Sequence, residues 1–419
     1  MKLSKKTIIN CIIILGIVLR LIFIIFTPID KYQIDNNPPY GHLSYCMYLY
    51  ENWELPNTSE NQFYHPPLNA FLSAVLLKSL DFTNFSVNLK IEALQLLPFI
   101  YSSITLIFIK KILDKFGISE TSQIFVLLIC VFNPISVIYS GCISNDALVN
   151  LFSIVSIYFL IKWYQDSNVK NILVLAITLG LGSITKHSIL VNYAITGIVF
   201  LWKLKQQKNE KLFTQYIIFA ILLIPITFAY PIRNFILFGQ KPFAVQPASK
   251  TLYIGNFSLW EQYRPLDKTL LHSSFALKDH NIFSNVLRTS VNPFWFLNHF
   301  IVVIEYFVSI VLLLTSCIGI ITLLQIQKEN LHIKLSVLVT SLWLFSFIML
   351  NLTMPYSCSA NARYVITPII FLGIQLGFLL DYLKKFKLKA IIQLLSITYS
   401  VLAYVIVLIY TFSNGIYYY

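Results

Sequence analysis

Hydrophobic residues recur along the chain in long, nearly unbroken runs rather than in an alternating or one-sided pattern. A run of about 20 apolar residues is long enough to cross a bilayer as a helix. Two shorter runs, 171–185 and 188–202, are typical of a helical hairpin with its turn at Lys186 and His187. With the longer runs they predict an all-α polytopic membrane protein with about eleven transmembrane helices. The longer predicted spans are 7–27, 91–109, 123–141, 147–164, 215–232, 298–324, 335–353, 365–383 and 390–412.

The composition supports this class. Of the 419 residues, 57% are hydrophobic and 12% are charged, whereas a soluble domain carries about 25% charged residues. A water-soluble core could not hide so many apolar side chains. The net charge of +13 would indicate a nucleic-acid binder only if it formed one patch. Instead, lysines cluster in every second predicted loop, so the bilayer is the expected partner and nucleic acid is not.

These lysine clusters predict the topology, because loops rich in Lys face the cytoplasm. The amino terminus is then cytoplasmic, and residues 28–90 and 239–297 form two large outer loops. The apolar segment 66–80 is short and begins with a Pro pair. If it crossed the membrane, the cluster at Lys110, Lys111 and Lys115 would lie outside. We therefore expect 66–80 to be a juxtamembrane or re-entrant helix on the outer side.

Three segments follow from this topology. Residues 1–238 form a transmembrane module that contains the outer loop 28–90, residues 239–297 form the second outer loop, and residues 298–419 form the carboxyl-terminal transmembrane helices. The first apolar run is longer than that of a signal peptide and shows no clear cleavage site, so we expect an uncleaved span. The cysteines lack metal-binding spacing, but a disulfide among Cys46, Cys142 and Cys358 stays open.

Charged and polar side chains gather at the predicted outer face. Taken singly, each has an ordinary explanation: Asn145-Asp146 fits a helix N-cap, and Lys186 fits a lysine that extends to the interface. Interface anchoring explains the arginines equally well. Together, however, they form the set needed to bind a lipid-linked phosphate and to activate a hydroxyl or amine beside it. The set comprises Asp35, Asp146, Lys186, Arg233, Arg363, His42 and His65.

Several short motifs run in order along nearly the whole chain. They are Asp35 followed by GHLSY, then ELP, YHPPLNAFLSA, PISVIYSGCISNDAL, GSITKHS, YPIRNFILFGQKPF and ARYVITP. In this order they resemble the membrane-embedded C-type (GT-C) glycosyltransferases, the superfamily of protein O-mannosyltransferases and bacterial aminoarabinose transferases. The HPPL and NDAL elements are the more specific ones.

The resemblance implies a GT-C architecture and transfer of a sugar from a polyprenyl-phosphate donor to a lipid, glycan or protein acceptor on the extracytoplasmic side. It implies no nucleotide-sugar and no certain cofactor, although a divalent metal is possible. We expect the cell membrane as the location. Asp35 resembles the first-loop acidic residue that acts as base or acceptor-positioning group. Asn36 and Asn37 follow it where many relatives have a second acid, so either Asp35 acts alone or Glu60 is its partner. By position, Asp146 resembles the second-loop acid, and Lys186 and Arg233 resemble the cations near the donor phosphate. Arg363 is a further candidate for binding this phosphate, and His42, His65 and Tyr364 are candidates for binding substrate. Acceptor recognition is then expected of the loop 239–297.

Two other classes of protein fit parts of the pattern. A polysaccharide polymerase or ligase would also be polytopic with a large outer loop, but would use a diphosphate-linked oligosaccharide. A secondary transporter would place its polar residues at mid-membrane in broken helices and often shows repeated halves. Because the charges gather at one face, the pattern favours the glycosyltransferase.

Overall fold

The computed structural model describes residues 3–29, 41–58, 63–207, 210–243, 248, 250–265, 280–291 and 299–412. Within these ranges the chain forms α-helices and short 3-10 segments, together with one isolated bridge between Tyr253 and Tyr356. The predicted all-α class is confirmed. The α-helices are α1 Lys5–Phe26, α2 His42–Asn52, α3 Leu68–Leu80, α4 Val87–Ala93, α5 Leu96–Lys115, α6 Glu120–Phe132, α7 Pro134–Ile138, α8 Asp146–Asp166, α9 Val169–Ser183, α10 Leu190–Gln206, α11 Glu210–Phe238, α12 Leu259–Tyr263, α13 Ile282–Val291, α14 His299–Ile326, α15 Leu331–Thr353, α16 Ile366–Tyr382 and α17 Phe386–Phe412.

Nine helical stretches of the described chain are long and apolar enough to cross a membrane. They coincide with nine of the predicted spans. The two remaining predicted spans correspond to the shorter apolar helices α6 and α9, which have 13 and 15 residues. The polytopic character is therefore confirmed, whereas the count of about eleven crossings is not.

The predicted span 123–141 is wrong as a continuous helix. Helix α6 ends at Phe132, and Asn133 leaves the helical conformation with ψ 120°. Proline explains the break, because Pro134 has no N–H to donate and disfavours the α conformation at the residue before it. Arg20 of α1 donates hydrogen bonds to the Val131 carbonyl at 3.0 Å and to Ser136 Oγ at 3.1 Å. These bonds satisfy polar groups on both sides of the break, as an apolar surrounding requires.

The chain divides into two compact units, each discontinuous in sequence. In the first unit, which contains residues 1–27, 109–138 and 247–419, α6 packs against α1, α16 and α17, and α14 packs against α16 and α17. In the second unit, which contains residues 28–108 and 139–246, α9 packs against α8 and α11. The three segments predicted from the sequence, 1–238, 239–297 and 298–419, stay predictions.

Helices α2 and α3 form a small subdomain of the second unit. Tyr45, Cys46 and Leu49 of α2 are buried in one cluster with Ala74 and Leu77 of α3. The helix expected at 66–80 is thus present as Leu68–Leu80. Its position at the membrane surface stays a prediction. The cluster positions the start of α2 and the chain before α3, where two of the candidate site residues lie.

Candidate active site

The centre of the candidate site is an ion pair between Asp146 and Lys186 in the second unit. Lys186 Nζ donates to Asp146 Oδ1, and the two side chains are 13% and 4% exposed, respectively. Asp146 is the first residue of α8, where a negative charge interacts favourably with the helix dipole. Ser144 Oγ also donates to Asp146 Oδ2 at 3.3 Å. Lys186 therefore turns inward to a carboxylate instead of extending to the interface.

Three consecutive residues after α9 bring two of the sequence motifs together. The Leu68 N–H of HPPL donates to the Ile184 carbonyl at 2.9 Å. Asn145 Nδ2 donates to the Thr185 carbonyl at 3.2 Å, and Lys186 then reaches Asp146. Asn145 occupies the N-cap position of α8, as the sequence suggested, but its side chain makes no capping bond to the helix. Its amide instead links the start of α8 to the loop that carries Lys186.

The turn that presents Lys186 depends on a close backbone approach at Gly182. A Cβ atom there would lie 2.7 Å from Cγ1 of Ile189, a side chain with no exposed surface. Such a contact is shorter than real Cβ atoms tolerate, so a larger residue would displace the turn. Close packing against Ile189 therefore explains why a glycine stands at position 182 in the GSITKHS motif. Lys186 itself has an extended backbone, with φ −161° and ψ 137°.

The two predicted histidines lie beside each other in the second unit. The ring centroids of His42 and His65 are 5.0 Å apart, and His65 packs on Tyr64 at 4.2 Å. His42 begins α2 after Gly41, whose φ of 97° favours glycine. This geometry explains the Gly-His pair of GHLSY and joins it to the His of YHPPL.

A pair of tyrosines supports the two histidine-bearing segments. Tyr230 of α11 donates to the Phe63 carbonyl at 2.9 Å, and its Oη lies 3.5 Å from Tyr45 Oη. Burial raises the pKa of Tyr45 well above its usual value, so its phenol stays neutral. Tyr230 begins the YPIRNFILFGQKPF motif, but sequence reasoning did not single it out as a site residue, because the motif does not indicate what its hydroxyl contacts.

Arg233 binds backbone in the second unit. Its Nη2 donates to the Leu55 carbonyl at 2.8 Å, and Nη1 donates to Asn234 Oδ1 at 3.0 Å. The guanidinium also lies 5.3 Å from the Phe238 ring centroid. Arg233 thus joins the ELP motif to the carboxyl-terminal part of α11. A role at the donor phosphate stays a prediction for this residue.

Arg363 and Tyr364 belong to the first unit. Arg363 is 8% exposed and its guanidinium lies 5.0 Å from the Tyr364 ring centroid. Helix α13 packs on this segment, since the Ala362 N–H donates to Thr289 Oγ1 at 2.8 Å. The same helix buries a second arginine, Arg288, completely. Sequence reasoning placed Arg288 on the outer side but made no prediction about its burial.

Two of the predicted catalytic residues, Asp35 and Glu60, lie outside the residues that the structure describes. Their roles stay predictions. In the described ranges, no three His, Cys, Asp or Glu side chains form a group that could hold a metal ion. No disulfide joins any two of the cysteines considered for one, Cys46, Cys142 and Cys358.

The family model for dolichyl-phosphate-mannose-protein mannosyltransferase matches residues 78–245. This range is about two fifths of the chain and includes Asp146, Lys186 and Arg233. It does not include Asp35 or Arg363. No curated protein sequence matches the chain.

Solved structures match the fold over most of the chain. ArnT from Cupriavidus metallidurans in the apo state has a TM-score of 0.53 at 12% identity, covering 88% of this chain and 60% of its own. The same protein bound to undecaprenyl phosphate has a TM-score of 0.51 at 12% identity, covering 90% and 60%. The Archaeoglobus fulgidus oligosaccharyltransferase in the apo form has a TM-score of 0.53 at 9% identity, covering 96% and 56%.

The chain has the GT-C fold. The resemblance inferred from the motifs is confirmed at this level. The chain spans about three fifths of the length of the solved structures that it matches.

Proposed function

We propose that the protein is an integral membrane glycosyltransferase that moves a sugar from a polyprenyl-phosphate donor to an acceptor on the extracytoplasmic side. The observation that carries the proposal is the largely buried Asp146–Lys186 pair, which lies within the residues matched by the mannosyltransferase family model. The GT-C fold supports it, and so does the ArnT structure that contains undecaprenyl phosphate. The predicted lysine topology supports a cytoplasmic amino terminus and the cell membrane as the location.

The proposed reaction is a single displacement at the anomeric carbon. The acceptor oxygen or nitrogen forms a bond to this carbon while the bond from the carbon to the phosphate oxygen breaks, and the electron pair leaves with the polyprenyl phosphate. Asp35 takes the acceptor proton as general base, which typically contributes about 10²–10⁴-fold to the rate. Glu60 is its candidate partner. Lys186 stabilises the charge that grows on the leaving phosphate.

The pairing of Lys186 suggests how it would do this. An ammonium group has three donors, so it can bond to Asp146 and to a phosphate oxygen at the same time. Asp146 would then act as a positioning residue that fixes the ammonium before the donor binds. Such preorganisation is worth most where water is excluded, and both side chains are largely buried.

The remaining candidate residues are proposed to bind the donor or the substrate and not to take part in the transfer of the proton or the sugar. Arg363 is proposed as a second cation for the donor phosphate, and Tyr364 as a substrate contact beside it. His42 and His65 are proposed to bind substrate through their adjacent rings. Arg233 would support the site indirectly, because its guanidinium already holds the Leu55 carbonyl.

A donor-hydrolysis and transfer assay on the purified protein tests the proposal. With a polyprenyl-phosphate sugar, wild type should release polyprenyl phosphate, and Lys186→Met should lower kcat/KM by about 10²–10³-fold, the typical loss for one such donor. Lys170→Met is the matched control, since Lys170 is an exposed lysine at the start of α9. Equal losses in both variants would contradict the role of Lys186.

The same assay separates the proposed function from its rivals. Asp35→Asn should abolish transfer while the protein stays folded in the membrane. Turnover with a diphosphate-linked oligosaccharide and none with the monophosphate donor would favour a polymerase or ligase. Transport in vesicles without any sugar transfer would favour a secondary transporter.

A further inference from the structure

Glu305 is a fully buried carboxylate in a helix that can cross the membrane. It lies about two turns into α14, and its side chain has no exposed surface. Among the described residues, none donates a hydrogen bond to either carboxylate oxygen. An isolated ionised carboxylate in such a surrounding is costly, so it either becomes neutral or pairs with a positive charge. The proposed transfer reaction makes no use of it.

Other oxygen atoms face the same region. Ser309 follows Glu305 by four residues and therefore lies on the same side of α14; its Oγ is also buried without a partner in the described chain. Tyr399 of α17 interacts electrostatically with Glu305. The Tyr399 Oη accepts a hydrogen bond from Asn133 Nδ2 at 2.8 Å, which leaves its own proton to donate. The atoms that Glu305, Ser309 and Tyr399 offer to a ligand are thus oxygens, and the amide nitrogen of Asn133 is engaged by Tyr399.

No described cation neutralises Glu305. Helix α14 packs against α13, α15, α16 and α17. The charge of α13 nearest to Glu305 is Arg288, which interacts with Tyr306, and on α17 the nearest titratable group is Tyr399. His332 lies in the first turn of α15 and Asp381 in the last turn of α16. Both groups therefore lie toward the opposite end of α14 from Glu305. Within the described ranges, no positive charge would therefore compensate an ionised Glu305.

We propose that Glu305 and Ser309 form an intramembrane site for one small monovalent cation, a proton or a sodium ion. A single carboxylate needs one positive charge, and a divalent ion would leave an excess charge in an apolar core. Oxygen ligands do not favour the softer transition metals. The proton would neutralise Glu305 directly, whereas sodium would also coordinate the Ser309 hydroxyl. The occupied site lies beside the Tyr399–Asn133 bond and therefore next to the break between α6 and α7.

Infrared difference spectroscopy and thermal unfolding test this site. The protein is studied in a zwitterionic bilayer nanodisc, in sodium chloride or choline chloride of equal ionic strength. A protonated-carboxyl band that is lost in Glu305→Gln identifies the proton as the occupant. A sodium-dependent rise in the unfolding temperature that is lost in Glu305→Gln identifies sodium. Both results support the site.

The proposal is overturned if wild type and Glu305→Gln respond identically to pH and to sodium and share the same carboxyl bands. Glu329→Gln is the matched control, because this side chain is 97% exposed and should change neither readout. Ser309→Ala provides a second variant that keeps Glu305. It should abolish a sodium effect and leave a proton band in place, and the wild-type measurements stand even if Glu305→Gln fails to fold.

Discussion

Lys186 pairs with Asp146 across 40 positions of sequence, and the bond joins the loop after α9 to the first turn of α8. The Lys186 side chain is 13% exposed and the Asp146 side chain 4%. At this burial each charge is costly without a partner of opposite sign. The pair therefore determines both the position of a candidate catalytic lysine and part of the stability of the second unit.

Removing one charge of the Asp146–Lys186 pair should destabilise the folded protein. Asp146→Asn removes the carboxylate that pairs with Lys186 and should lower the free energy of unfolding by about 3–5 kcal/mol, the usual cost of removing one partner of a buried ion pair. Thermal unfolding in detergent measures the change. The double variant Asp146→Asn/Lys186→Met should lose less than the sum of the single variants. Asp166→Asn, at the exposed end of the same helix, should be close to neutral, and additive losses would contradict the coupling.

Arg233 should hold the Leu55 carbonyl and Asn234 because its planar guanidinium group can donate to both at once. Arg233→Lys keeps the charge but cannot make both the Leu55 and Asn234 bonds. We expect a loss of about 1 kcal/mol and faster amide hydrogen exchange in residues 53–58. Hydrogen exchange with mass spectrometry measures the second effect. Exchange that stays at the wild-type rate would show that Arg233 does not hold this segment.

Arg20 should stabilise the break between α6 and α7. Arg20→Met removes the donors to the Val131 carbonyl and Ser136 Oγ and leaves a backbone acceptor unsatisfied, at about 1–3 kcal/mol. The unfolding temperature should fall, and Arg20→Lys should restore part of it. Lys6→Met, an exposed lysine on the same helix, serves as the control. An unchanged unfolding temperature for Arg20→Met would rule out this role.

The Cys46 thiol should be unreactive in the folded protein. Burial raises its pKa to about 11, so the reactive thiolate is scarce below that pH and access is blocked as well. Because the thiol is the form that folding favours, labelling should remain slow from pH 7 to pH 10. A maleimide assay against an introduced Glu51→Cys, exposed on the same helix, measures the ratio. Equal labelling rates would refute the burial of Cys46.

The lysine pattern predicts which side each loop occupies. Single cysteines introduced at Trp260, 70% exposed, and Phe386, 84% exposed, can be labelled with an impermeant maleimide in a cysteine-free background. Trp260→Cys should react in intact cells, and Phe386→Cys only after permeabilisation. The reverse order would invert the topology and place the candidate site in the cytoplasm.

Much of the fold was accessible from sequence, because the bilayer requires long apolar helices whatever their tertiary contacts. The nine longer helices could therefore be placed directly. The break at Asn133-Pro134 was overlooked, although the proline signals it locally, because the flanking residues are apolar enough to hide it. The positions of Asp146 and Lys186 at helix ends followed from the motifs, whereas their bond did not.

The sequence by itself determined that the chain belongs in a membrane and that it is helical, since hydrophobicity and charge are properties of each position. It also supplied the residues that are proposed to act on a phosphate. Only the tertiary structure decided that Lys186 meets Asp146, that Arg233 binds the Leu55 carbonyl, and that Glu305 is buried without a partner. Such contacts join residues tens to hundreds of positions apart, and packing between helices selects them. A local pattern carries no information about which distant side chain will complete a buried charge.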